Sequence, residues 1–221
     1  MIAKELINYM IPPLKPTDEV DKAVMWMEEL RVSELPVVDE GKFLGILNED
    51  LIFDNNSDEG VVQNLVLTGN NSFLNEQSHY YEILKMSYDE SVSLVAILDT
   101  DDKYLGVVSI KDVVEAFAQT SSITSPGAIF ILSMNSTDYS LTEISRLVES
   151  NDAKIISSHT AVDADDPSIV RLTLKINTED ASKVLATLER FGYSVVSQFN
   201  NQSSEDNDKD RYDILMKYLQ I

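Results

Sequence analysis

Ser109 and Asp112 stand three residues apart shortly after Gly106, and Asn48 and Asp50 occupy a similar place after Gly45. Short polar side chains that lead into an apolar helical stripe are preferred helix N-caps. A helix N-terminus is also an anion site, so a cap and a ligand contact can share one position. Little else in the sequence is arranged for chemistry. His79 and His159 are the only two histidines and lie far apart, which gives neither a metal cluster nor a catalytic triad. His79 reads as a surface or capping residue at a helix start, and His159 as a sheet residue. The chain has no cysteine, which excludes a disulfide framework, a thiol nucleophile and a cysteine metal site. No nucleophile elbow, phosphate-binding loop or dinucleotide fingerprint occurs. The run from Asp99 to Asp102 lacks the glycine and terminal Glu of a calcium loop, and reads as a solvated hairpin turn. These residues point away from an enzyme and away from a metal site.

The elements that must position these groups follow from composition and periodicity. Hydrophobic residues make up 43% and charged residues 25% of the 221-residue chain, an ordinary globular balance. Net charge is not ordinary. Thirty-eight acidic side chains against 17 basic ones leave −21, which argues against nucleic acid and anionic membrane surfaces as partners. Apolar runs such as Leu94 to Leu98 are far shorter than the roughly 20 residues of a membrane helix. The first residues show no basic region followed by an apolar stretch. A cytoplasmic protein is expected.

One pattern occurs twice in residues 1–120, as repeats of about 1–60 and 61–120. Val20, Ala23, Val24 and Met27 form a helical stripe, followed by the apolar strand Leu35 to Asp39 and the strand Lys42 to Leu47. Tyr80, Ile83 and Leu84 begin the second stripe, followed by Val95 to Asp99 and Lys103 to Ser109. Each copy then enters another helix, from Leu51 in the first and over Val113 to Phe117 in the second. Trp26, Met25 and Met27 read as core packing. Neither copy can bury a core alone, so the two should pack face to face.

Leu35-Pro-Val-Val-Asp39 with Gly45-Ile-Leu-Asn48, and Gly106-Val-Val-Ser-Ile-Lys-Asp112, resemble the CBS domain, which occurs in tandem pairs known as Bateman modules. The resemblance implies a regulatory module that senses an adenosyl ligand (AMP, ADP, ATP or S-adenosylmethionine) between the repeats. It implies that Ser109 faces phosphate and that Asp112 takes the ribose hydroxyls, with Asn48 and Asp50 at the corresponding place in the first repeat. Pro36, Val37, Ala96 and Ile97 are the strand residues it sets against the ligand. The first copy departs from the pattern, with one residue fewer between glycine and Asp, so Asp50 is expected to cap its helix. Residues 1–120 hold 23 acidic and 8 basic side chains. A triphosphate would therefore need added cations, whereas AMP, adenosine or S-adenosylmethionine would not.

A small polar stretch, Thr120 to Gly127, ends in a Pro-Gly turn signal and marks a domain boundary. Residues 127–199 then read as strand, helix, strand, strand, helix, strand, a ferredoxin-like order. Ser140-x-x-Glu143 is a capping box, Glu179 and Asp180 fall in the first turn of the second helix, and Gly192 follows its C-terminus. The fold class is α/β (α+β). The order resembles an ACT domain, and Asn151-Asp-Ala153 resembles that family's turn. The resemblance implies amino-acid binding between subunits, but the loop Asn135 to Tyr139 lacks the family's glycine, so a dimerisation platform without ligand is expected, with amino-acid binding as the alternative. The whole arrangement is similar to acetoin-utilisation-regulator-like CBS proteins. Residues 200–221 read as a polar linker and a short amphipathic helix over 210–220 that docks through Tyr212, Leu215, Met216 and Leu219. The expected protein is a homodimeric sensor without a resident cofactor, and the alternative is a ligand-free adaptor.

Overall fold

The computed structural model describes residues 1–54 and 60–199. The helix expected over 210–220 lies outside these residues. The chain divides into two compact units, Met1–Gln119 and Thr120–Ile221.

In the first unit, helix α1 (Val20–Leu30) leads to strands β1 (Glu34–Asp39) and β2 (Lys42–Asn48) and helix α2 (Glu49–Asp54). The second copy runs from β3 (Phe73–Asn75) through α3 (Tyr80–Glu90), β4 (Leu94–Leu98) and β5 (Tyr104–Ser109) to α4 (Ile110–Ala118). The copies agree in detail. Helices α1 and α3 both stop at a left-handed residue without a glycine, Arg31 at φ 56° and Ser91 at φ 54°. β1 pairs antiparallel with β2, and β4 with β5. A further segment runs parallel to the first strand of each pair: β3 beside β4, and a bridge from Leu14 to Val37. Each repeat therefore begins one short extended segment earlier than its apolar runs reveal. As for the Trp26 group, Met27 is buried but Met25 is exposed, and Trp26 is half-buried with the Lys22 ammonium 4.3 Å from its ring centroid.

The leading segments are exchanged. Asn8 bridges Val107 in β5, Thr68 bridges Ile46 in β2, Ile2 bridges His79, and Glu19 bridges Val61. Residues of both repeats thus share one core, with Leu14, Leu35, Ile46, Ile83, Leu94 and Ile97 all fully buried. The repeat glycines lie where the exchanged segments cross. A Cβ on Gly45 would stand 2.7 Å from Asn70 Oδ1 and 3.0 Å from the Thr68 carbonyl oxygen, and one on Gly106 would stand 2.5 Å from Ile7 Cγ2.

The second unit carries a four-stranded antiparallel sheet in the order β7-β8-β6-β9, with β6 Ile129–Asn135, β7 Ile155–Val162, β8 Ile169–Ile176 and β9 Ser194–Phe199. Its two longer helices are α6 (Leu141–Glu149) and α7 (Ser182–Arg190), and this is the ferredoxin-like topology. The buried Phe130, Leu132, Leu172 and Leu174 pack with Ile144, Val148, Val184 and Leu188 of these helices. The stretch expected to be a plain boundary contains a helical turn, α5 (Ser121–Thr124), whose Ile123 carbonyl accepts from Lys175 Nζ at 3.0 Å. Glu179 and Asp180 precede α7 rather than entering its first turn. Asp180 instead accepts from the Ser182 amide at 3.0 Å. The capping box at Ser140 is half formed: Ser140 Oγ accepts from the Glu143 amide, but Glu143 is engaged by the Tyr193 hydroxyl.

In the turn between β7 and β8, Asp163 Oδ1 accepts from the amides of Asp165 and Asp166, and its other oxygen pairs with Arg171. These amides and the guanidinium hold its pKa below the ordinary 3.8.

Two predictions follow from this packing. Gly45→Ala should cost about 1–3 kcal/mol in urea unfolding, and more than Gly106→Ala, because its neighbours include a backbone oxygen that cannot swing aside. Equal costs would remove the role assigned to the crossing. Asp163→Asn should lower the melting temperature near neutral pH. A carboxylate with a depressed folded pKa contributes above its unfolded pKa and loses that contribution as pH falls through the folded one. The gap between variant and wild type should therefore close in acid below about pH 4, and a gap that persists there would contradict the assignment.

Candidate functional site

The start of α4 carries a dense polar cluster. Ser109 is its N-cap: Ser109 Oγ accepts from the Asp112 amide at 3.1 Å and donates to Asp112 Oδ2 at 2.6 Å. Asp112 Oδ2 also accepts from the Ser109 amide at 3.1 Å, which closes a capping box with Asp at the third helical position. The exchanged N-terminal segment adds a partner. Asn8 Nδ2 donates to both oxygens of Asp112, at 3.1 and 3.2 Å, while Asn8 Oδ1 accepts from the Met10 amide at 3.0 Å. Beside this contact lies an open cavity of about 470 Å³, lined by Ile7, Asn8, Tyr9, Asp112, Glu115 and Gln119 among others. The charged residues on its wall are Glu5, Asp112 and Glu115, with the Lys111 ammonium 3.7 Å from Glu115. Ser109 and Asp112 are thus brought together, and Asn8 is a member of the site that residue spacing did not reveal. The 60-residue repeat gives Asn8 and Thr68 equivalent places, bridging Val107 and Ile46, but does not mark Asn8 as a partner of Asp112.

The first repeat builds its counterpart differently. Glu34 faces Asn48 and Leu94 faces Ser109 across the strand pairs, so both strands end in register at a cap. Gly45 to Asn48 and Gly106 to Ser109 span the same three residues, so the shorter glycine-to-Asp spacing of the first copy arises because Asp50 is not the counterpart of Asp112; α2 and α4 start at Glu49 and Ile110, earlier than expected. Asn48 is the cap, accepting from the Asp50 amide at 2.8 Å. Asp50 does not cap; it falls at the second helical position and is exposed, while Leu51 takes the place that Asp112 has in α4. Asn48 Nδ2 donates to Glu34 Oε1 at 3.4 Å. Glu34, only 5% exposed, accepts through Oε2 from the Ser93 amide at 2.8 Å, the Ser93 hydroxyl at 2.7 Å and the Leu94 amide at 3.1 Å. This carboxylate joins the two repeats without a cation, and the sequence reading missed it.

Pro36, Val37, Ala96 and Ile97 are buried strand residues, and none lines the cavity at Asn8 and Asp112. His79 caps α3, accepting at Nδ1 from the Tyr81 amide, and His159 is exposed on β7. Burial, with help from Tyr81, pushes the neighbouring Tyr80 hydroxyl up to about 12. Asp99 to Asp102 form a hairpin turn in which Asp99 Oδ1 accepts from the Asp101 and Lys103 amides. Among the described residues no group of three His, Cys, Asp or Glu could hold a metal.

The second unit has its own cavity of about 490 Å³ where β6 ends and α6 begins, lined by Asn135, Asp138, Glu143, Phe191 and Tyr193 among others. Tyr193 donates to Glu143 Oε2 at 3.2 Å, and burial together with that carboxylate raises its pKa.

Residues 3–55 and 73–119 each match the CBS domain family. Among solved structures, this chain is similar to a CBS domain pair/ACT domain protein of Thermotoga maritima, at 21% identity and TM-score 0.49 over 54% of this chain and 98% of that one. It is also similar to CBSX2 in complex with AMP, at 20% identity and TM-score 0.46 over 53% and 96%. A third is a CBS domain pair in complex with 5′-methylthioadenosine and S-adenosyl-L-methionine, at 20% identity and TM-score 0.45 over 53% and 96%. No helix among the described residues is long and apolar enough to cross a membrane. With two matched segments, two copies of one strand–helix pattern and one shared core, residues 3–119 belong to the CBS family as a tandem pair.

Proposed function

We propose that the CBS pair is a regulatory, non-catalytic sensor of an adenosyl compound, and that the compound binds at the cavity between Asn8 and Asp112. The observation that carries this reading is the placement of Asp112 on a cavity wall, held at a helix N-terminus by Ser109 and approached by a segment of the other repeat. An ionised carboxylate accepts two hydroxyl hydrogen bonds at once, and charge-assisted bonds of this kind are about twice as strong as neutral ones. A ribose diol meets that description. The Asn8 amide bridges both oxygens of Asp112, and in this reading the diol takes its place, so that ligand binding shifts the N-terminal segment. That displacement is what a partner can read. The net acidic wall, on which Lys111 offsets only Glu115, favours a ligand with little negative charge, such as S-adenosylmethionine, 5′-methylthioadenosine or AMP, over ADP or ATP. Leu51 offers no acceptor at the pseudo-equivalent place, so the first repeat's cleft is the weaker one, and Asn48 and Asp50 contribute little.

The second unit fits an ACT-like dimerisation platform. Ile129, Ile131 and Phe199 share the sheet face opposite its helices, with Arg171 and Thr173 beside them and Lys175 drawn to Ile123. Covering such a face with a second copy makes the protein a homodimer.

Calorimetric titration with AMP, 5′-methylthioadenosine and S-adenosylmethionine tests the site. Asp112→Ala should weaken binding roughly 10- to 150-fold, the loss expected for a charged acceptor, and Asp50→Ala should leave it nearly unchanged. A larger loss at Asp50 would mean that the site is misassigned, and no heat with any of the three would favour the adaptor reading. Light scattering should give a dimer, and a monomer at micromolar concentration would remove the platform.

A further inference from the structure

The hairpins of the two repeats meet at the other ends of their strands. The first turns through Glu40 and Gly41, both left-handed at φ 47° and 82°, which is the two-residue turn that suits a twisted pair. The second turns through Asp101 and Asp102, and the Tyr104 amide joins the hairpins by donating to the Gly41 carbonyl at 2.8 Å. Lys103 lies along Gly41, where a Cβ would touch its Cγ at 3.6 Å and its Cε at 3.7 Å. Beside this junction is a cavity of about 720 Å³, larger than the one at Asp112.

Its wall combines three chemistries. Phe43, Phe73 and Leu98 supply an apolar surface, with the Phe43 and Phe73 rings edge to face at 6.4 Å. Lys42 and Lys103 are exposed, and neither ammonium lies within 4.0 Å of a carboxylate of a described residue. Lys4, Lys22 and Lys111 of this unit are paired, whereas Lys42 and Lys103, like Lys15 and Lys85, have no ion pair among the described residues, and the first two meet at this cavity. Glu40, Asp101 and Asp102 complete the rim. The two buried hydroxyls without a partner among the described residues, Ser72 and Tyr104, adjoin wall residues: Ser72 precedes Phe73, and Tyr104 stacks on Phe43 at 6.5 Å.

We propose that this cavity is a second binding site, separate from the adenosyl cleft, that takes a free aromatic amino acid. The aromatic side chain packs against Phe43, Phe73 and Leu98, where edge-to-face and offset stacking are favourable. The α-carboxylate pairs with Lys42 and Lys103, and the α-ammonium with Asp101, Asp102 or Glu40. A purely anionic ligand meets three carboxylates and a purely cationic one meets two ammonium groups, whereas a zwitterion satisfies both signs. The inference does not depend on the adenosyl reading, since the two cavities share no wall residue.

The full chain is titrated with L-phenylalanine, L-tryptophan, phenethylamine and phenylacetate by ligand-detected NMR. The two amino acids should bind saturably, and each single-charge analogue should bind about tenfold more weakly, the value of one charge-assisted contact. Lys103→Gln and Asp101→Asn should each cost about tenfold, and Phe73→Ala more. Both polar positions are exposed, so the test survives even if Phe73→Ala fails to fold. Retained 5′-methylthioadenosine binding in Lys103→Gln would support two separate sites. The proposal is overturned by absence of saturable amino-acid binding up to ~10 mM, by phenylacetate matching phenylalanine, or by binding that both polar variants leave untouched.

Discussion

The exchange of leading segments is the constraint on which the first unit rests. Each repeat sends its first residues onto the last strand of the other, so neither has a complete sheet by itself. Gly45 and Gly106 follow from this, because a side chain at either position would occupy the space of the crossing segment. The cleft at Asp112 follows as well. Its helix and its Ser109 cap come from the second repeat, but Asn8 arrives from the first, so both repeats are needed to form the wall.

Charge is handled in a consistent way through both units. With 38 acidic side chains and 17 basic ones, carboxylates cannot rely on cations for company. Backbone amides take that role. Glu34, Asp99, Asp112, Asp163, Asp166 and Asp180 all accept from main-chain N–H groups. These bonds are charge-assisted and local, which suits a chain whose long-range electrostatics are repulsive. The buried Glu34 is the extreme case: three donors from Ser93 and Leu94 stand where a lysine or arginine is more usual.

Much of this was legible in the sequence because periodicity and spacing act over a few residues. The paired helices and hairpins, the ferredoxin-like order and the Ser109–Asp112 cap all come from local patterns. What escaped was long-range or short in extent. Leu14 makes a single parallel bridge and β3 is three residues long, too little for an apolar pattern to register. Asn8 carries no local signal at all, since its role depends on Asp112. At Asp50 the residue type was right for a cap, but Asn48, two positions earlier, already held the amide. Glu179 and Asp180 erred the same way by a few residues, because helix starts are set by backbone geometry that composition marks only loosely.

The Asn8–Asp112 contact spans 104 residues of chain. Loop-closure entropy must be overcome before so distant a pairing gives anything back, which makes it a slow and late event in folding. During synthesis at roughly 5–20 residues per second, Asn8 leaves the ribosome several seconds before its partner exists. Through that interval the first repeat has its hairpin but not its neighbour, and the strand edge at Ile46 stays open until Thr68 emerges. The order of translation therefore closes the first repeat before the second, and the cleft at Asp112 is among the last parts of the unit to take shape.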